Sequence, residues 1–222
     1  MRLCLSLCWN MQSLEKLTME HALVGRGLGV LEVIVRKIDS GEAVPDESVQ
    51  RLLDFFEVFG DRYHHIKEEH VLIPRLEDGC ESRSNCHVGP AIGSIYYDHE
   101  VARRVLRDIR LASKDLTDKA SRAAFVEEAE EYIAFMRAHI AREKDSLIRA
   151  ASKVLEGEDK GLVRSFNKFE HREMISETTR EFASEIDAIL TILSIHVPPA
   201  HRRAYSRGTI PYHRSSMAPV VL

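Results

Sequence analysis

What the sequence has little of narrows its reading first. No apolar run approaches the ~20 residues needed to span a bilayer, so no membrane-embedded segment is expected. There is no long basic run and the formal charge is −4, which leaves nucleic-acid binding without support. Cysteine is sparse: Cys4, Cys8, Cys80 and Cys86 are too few and too scattered for a disulfide scaffold, and none has C-x-x-C spacing. Cys80 and Cys86 share a Gly/Ser/Asn-rich loop and can pair or stay reduced; reduced thiols in a cytoplasmic protein are the expectation. No segment reads convincingly as a strand, and no repeat of solenoid period is present. The opening MRLCLSLCWN is apolar but short, with a single Arg and no clear small-residue cleavage site. It is read as an N-terminal extension over 1–12 rather than a signal peptide.

What is present is helical. The chain has 222 residues, 44% hydrophobic and 30% charged, ordinary values for one soluble globular domain with appendages. Apolar spacing predicts helices over about 13–39, 46–76, 91–113 and 119–155. Gly41 and Pro45 end the first and Gly157 the fourth, while Pro74 should bend or tighten the last turn of the second. A fifth, more polar helix is expected over about 159–195, and the tail over 197–222 has no periodicity and should be extended or disordered. Four long amphipathic helices with short links imply an all-α, up-down four-helix bundle with an additional C-terminal helix.

Eleven histidines is a high count, and their helix faces separate them. His21 is in register with Leu17, Val24, Leu28 and Leu31, and His99 with Ile95, Ala102 and Leu106. His139 shares a stripe with Tyr132, Phe135, Met136 and Leu147, and Glu143 follows one turn later on the same face. In RYHHIKEEHVLIP two registers compete. His65 and Glu69 share a face with Phe55, Val58, Leu72 and Ile73; His64 and Glu68 share theirs with Glu57, Gly60 and Lys67. The second face reads as solvated, so His65 and Glu69 are taken as the inward pair. His64, His70, His87, His171, His196, His201 and His213 are assigned no role.

A single His on an apolar stripe is usually a satisfied core residue. Here all four long helices each send one inward, and two add a Glu, a residue rarely buried unless paired or metal-bound. Neutral imidazoles are good ligands for iron, and carboxylates can bridge two cations. Helices in a bundle lie ~8–10 Å apart, close enough for inward side chains to meet at a metal pair. Zinc is the lesser choice, since it usually takes four ligands, often with Cys, and no Cys lies on these faces. There is no H-E-x-x-H, and the Glu-x-x-His order of ferritin-like carboxylate proteins is absent.

The segments LTMEHALVGRGLGVLE, YHHIKEEHVLIPRLEDG, VGPAIGSIYYDHEVARR and FMRAHIAREKDSLI resemble, in order and spacing, the hemerythrin-like family, especially bacterial HHE cation-binding domains. The resemblance covers about 14–156, and FNKFEHREM is similar to the region after that core. It implies a bundle over 13–156 around two iron ions, a non-haem di-iron centre bridged by an oxo or hydroxo group, followed by a C-terminal helix over 157–196. Carried over residue by residue, the ligands would be His21, His65, Glu69, His99, His139 and Glu143. Two departures stand out. Oxygen-carrying hemerythrins place a second His one turn after the third-helix His, where this chain has Arg103, and their fourth-helix Asp position holds Lys144. The shortfall leaves room for a further ligand; Glu32, then Tyr96 or Tyr97, are the candidates.

Function is expected to be binding or sensing of oxygen, nitric oxide or iron, with a small diatomic ligand as partner and no nucleic acid or membrane. The alternative is a di-iron oxidoreductase, with oxidase, peroxidase-like or nitric oxide chemistry, or an iron donor in iron–sulfur cluster repair.

Overall fold

The computed structural model describes residues 11–81, 83, 86–172 and 179–195. The expectations for residues 1–10 of the N-terminal extension, the tail, Cys4, Cys8, His196, His201 and His213 lie outside the described residues, while Met11 and Gln12, drawn into that extension, join the first helix and its core. Within the described residues every regular element is a helix. None is long and apolar enough to cross a membrane.

Helix α1 (Gln12–Asp39) buries the stripe predicted for it, Leu14, Leu17, Val24, Leu28, Leu31 and Val35. It closes at Gly41, whose φ of 76° is the left-handed conformation that glycine adopts without a Cβ clash. Next, α2 (Asp46–Phe55) runs without a break through two π-helical stretches, Phe56–His65 and Glu68–Leu72, into α3 (Ile73–Glu81). The second stretch ends just before Pro74, which removes one N–H from the ladder. Then come α4 (Gly89–Ala112) and α5 (Lys119–Glu143), the latter with Asp118 accepting from Ser121 N at 2.8 Å as its N-cap. A π-helical turn, Lys144–Ile148, joins α5 to α6 (Arg149–Val154).

Two apolar cores fix the directions of these rods. One contains Leu14 and Leu17 with Leu72 and Leu76, Ile92 and Ile95, and Leu147 and Ile148. The other contains Leu31 and Ile38 with Leu52 and Phe59, Val105 and Ile109, and Phe125 and Met136. The start of α1 and α4 therefore meets the end of the second and fourth rods, which is an up-down four-helix bundle. Of the fifth helix expected over 159–195, the described residues form α7 (Asp159–Arg172) and α8 (Thr179–Ile195), and residues 173–178 lie outside them. Leu162 and Phe166 of α7 join the first core, and Phe182, Ile186 and Ile189 of α8 join the second.

The expectation of reduced thiols is corrected for one pair. Cys80 and Cys86 are joined by a disulfide, with Cα atoms 5.2 Å apart. The helical spacing of α3 turns Cys80 inward, and the loop returns Cys86 within bridging distance.

Asp159 ties the appended helices to the bundle. Its carboxylate accepts from Gln12 N and Ser13 N, both at 3.0 Å, and from Ser13 Oγ at 2.7 Å, so α7 caps the free N–H groups of α1. Burial alone would raise its pKa, but these donors hold it below the ordinary aspartate value. Asp159→Ala should lower stability by about 1 kcal/mol, as loss of an N-cap does. Because the folded-state pKa is depressed, the stabilisation is present above the unfolded value of about 3.9 and is lost as pH falls through the folded one. Chemical denaturation at pH 7 and at pH 3 checks this: the gap between variant and wild type should be present at pH 7 and shrink in acid.

Candidate metal centre

Between the two apolar cores lies a layer of buried polar side chains, one or more from each rod. His21 comes from α1, His99 from α4, His139 and Glu143 from α5, and His64, His65 and Glu68 from the second rod. All seven are buried, with Glu68, His99 and Glu143 at 0% exposure. Their donor atoms form two groups, each within 4.8 Å: His65, His99 and His139; and His21, His64, Glu68 and Glu143. Glu143 links the groups. Its Oε2 lies 2.8 Å from His21 Nε2, and its Oε1 lies 3.2 Å from both His99 Nε2 and His139 Nε2. Glu68 Oε2 sits between His99 Nε2 at 3.6 Å and His64 Nε2 at 3.9 Å.

An outer ring of carboxylates aims these imidazoles. Glu69 lies 2.7 Å from His99 Nδ1, Glu20 3.0 Å from His64 Nδ1, and Asp98 3.3 Å from His139 Nδ1. Asp61 approaches His65 Nδ1 more loosely, at 3.5 Å. Each contact engages Nδ1 and leaves Nε2 for the interior, the arrangement that orients histidines at metal sites. Arg103 fastens the ring by donating to Asp61 Oδ1 and Glu69 Oε1, both at 2.8 Å.

The interior is only partly paired: Glu143 meets His99 Nε2 in a hydrogen bond and His21 Nε2 in a close ion-pair contact, while most other inward atoms have no hydrogen bond. Among the described residues, the buried side-chain atoms without a hydrogen-bond partner are Ser48 Oγ and atoms of this layer: His21 Nε2, His64 Nε2, both ring nitrogens of His65, both oxygens of Glu68, His139 Nε2 and Glu143 Oε2. Burial, reinforced by neighbouring imidazoles, pushes His64 well below its ordinary pKa and His65 down to about 3. Burial also lowers His139. These rings are neutral and have lone pairs to give. Burial and the charge of Glu143 push Glu68 up. For Glu143 burial acts upward too, but the facing imidazoles of His139, His21 and His99 hold it well below the carboxylate range. Unpaired neutral nitrogens and carboxylate oxygens converging in a dry space are what a cation would satisfy, so the residues fit a metal.

Of the residues singled out from sequence, His21, His65, His99, His139 and Glu143 meet in this layer. Glu69 does not; it stands in the outer ring, between His99 and Arg103. The solvated face assigned to His64 and Glu68 is corrected: they are 1% and 0% exposed. Two physical facts account for the difference. The π-helical winding over Phe56–His65 and Glu68–Leu72 departs from the 3.6-residue period on which the faces were drawn. Lys67, which marked that face as polar, is itself fully buried beside Glu20 and Glu170. The signal available in the sequence was the doubling itself, His-His followed by Glu-Glu four residues on. Among the extra-ligand candidates, Glu32 instead pairs with Arg137 at 3.0 Å. Tyr96 and Tyr97 are exposed at the surface.

Fold and site together define a helical bundle with a buried His/Glu layer suited to cations. The chain belongs to the hemerythrin family: the hemerythrin HHE cation binding domain matches residues 12–151, more than half its length. No curated protein and no solved structure matches it.

Glu68 supplies a test of the unpaired layer. Its two buried oxygens make no well-directed hydrogen bond and crowd the Glu143 carboxylate. Glu68→Met keeps the volume and removes both, so the metal-free chain should gain about 1–3 kcal/mol. Thermal melts in a strong chelator measure this, and a lower melting temperature for the variant would contradict it.

Proposed function

We propose that this chain holds two iron ions in the buried layer and uses them to bind or sense oxygen or nitric oxide. The observation that supports the reading is the convergence of seven donor side chains in two groups that Glu143 links by its contacts, with most of their inward atoms without a hydrogen bond. Five imidazoles and two carboxylates without a thiolate suit iron better than a closed structural zinc site. The layer therefore contains five histidines even though Arg103 stands where oxygen-carrying relatives have one, because His64 enters from the second rod.

The ligand set proposed is His21, His64, His65, Glu68, His99, His139 and Glu143, which exchanges Glu69 for Glu68 and adds His64 to the set drawn from sequence. Glu68 and Glu143 are the bridging candidates, being the carboxylates placed between the two histidine groups. Those seven side chains would hold the ions. When bound, such a centre would supply redox-active iron, held by imidazole and carboxylate donors, to a small ligand. The chain's own residues neutralise, orient and dry it. An open cleft of about 240 Å³ beside the second rod and α4 reaches His65 between Ala102, Leu106 and Tyr132, with Asp61, Arg103 and Arg107 at its charged wall, and offers a small molecule an approach to His65.

Protein purified from iron-supplemented cells should carry about two irons per chain, with a visible spectrum that changes on adding oxygen or nitric oxide. His64→Ala and His65→Ala should both lose most of the metal, while Glu69→Gln should keep most of it. Metal analysis of the four proteins decides: a full load in His64→Ala would remove His64 from the site, and an empty wild type would refute the iron reading.

A further inference from the structure

The family match ends at residue 151, yet the polar contacts of the site continue beyond it. Lys67 lies on the second rod, one turn after His64, and its side chain is completely buried. Its ammonium touches Glu20 Oε1 at 2.5 Å and Glu170 Oε1 at 3.1 Å, and lies 3.9 Å from the centre of the Tyr63 ring. Glu20 is also fully buried, and its second oxygen, Oε2, meets His64 Nδ1 at 3.0 Å. Glu170 belongs to α7 and is tied outward to Lys16 at 2.6 Å. An unbroken chain of contacts thus runs from His64 through Glu20, Lys67 and Glu170 to Lys16 near the surface.

Charge balance gives this chain a direction. A buried ammonium must be compensated, and here two carboxylates share it. Glu170 takes up part of the charge of Lys67, so that Glu20 keeps one oxygen free to receive the His64 Nδ1–H. Without the Glu170 charge, Glu20 is the remaining anion against Lys67 and is drawn toward it. Its grip on His64 then weakens, and with it the orientation that keeps Nε2 facing the interior.

Resting on the ligand role proposed for His64, we infer that Glu170 and Lys67 are positioning residues of the metal centre, and that α7, outside the matched domain, is a working part of it. Partners in the outer shell of metal-bound histidines typically alter metal affinity by about 10–100-fold.

The test uses the full chain with Glu170→Gln, which keeps shape and removes the charge. Leu162→Ala serves as control, since it loosens α7 through the apolar core without touching the ion chain. Three quantities are measured: iron affinity by chelator competition, the visible spectrum of the loaded protein, and the His64 ring ¹⁵N shifts of the metal-free protein. Glu170→Gln should weaken iron binding by about tenfold or more, and should alter both the spectrum and the His64 shifts. Leu162→Ala should lower the melting temperature while leaving affinity, spectrum and shifts as in wild type. If Glu170→Gln matches wild type in all three while His64→Ala loses metal, the positioning role is overturned and the metal reading stands. If the wild type takes up no iron, both fall. Equal effects from Leu162→Ala and Glu170→Gln would reduce α7 to packing and also overturn the proposal.

Discussion

Seven polar side chains removed from water in the middle of a helical bundle set the terms for everything around them. Groups of this kind without hydrogen bonds cost about 1–3 kcal/mol each by mutational measures, and more if charged. Two apolar cores, one on each side of the layer, offset that cost. The aromatic cluster of Phe55, Phe56, Phe59 and Phe182 lies on one side, and Leu14, Leu17, Leu76 and Phe166 lie on the other, all of them buried. Each such side chain contributes on the order of 2 kcal/mol by leaving water. A bundle so built tolerates an unsatisfied middle and leaves its donor atoms for a cation.

The helices deform where the layer forms. The π-helical stretches Phe56–His65 and Glu68–Leu72 carry His64, His65 and Glu68, and a further one begins immediately after Glu143. A wider turn gives up ideal hydrogen-bond geometry but lets neighbouring residues enter the same interior, and such turns are frequently found at functional sites. His64 and His65 illustrate the gain. On one regular helix face only one of the pair would point inward, whereas both are buried here, one in each donor group.

Around the layer, charge is arranged in pairs. Arg103 holds Asp61 and Glu69, the outer partners of His65 and His99, and Lys67 holds Glu20, the outer partner of His64. Burial would raise the pKa of Asp61 and of Glu69, but the facing histidines and Arg103 keep both below their ordinary values and so keep them as acceptors. Arg103 thus serves as a clamp on the outer ring, and His64 brings a fifth imidazole into the layer from the same rod as His65.

The sequence by itself determined the all-helical bundle, the closing role of Gly41, and the inward direction of His21, His99, His139 and Glu143. Each follows from a regular 3.6-residue stripe, a local property that a single helix expresses without its neighbours. Tertiary structure alone decided the rest. Whether Glu68 or Glu69 faces inward depends on π-helical winding, which no periodicity in this sequence announces. Lys67 reads as a surface residue until Glu170, more than a hundred positions away, is seen to meet it inside the fold. The pairing of Cys80 with Cys86 needed the path of a loop, and the outer carboxylates needed helices brought face to face. Local spacing fixes which way a side chain points on its own helix; what it meets there is settled by other helices, and so is whether a charge can stay buried.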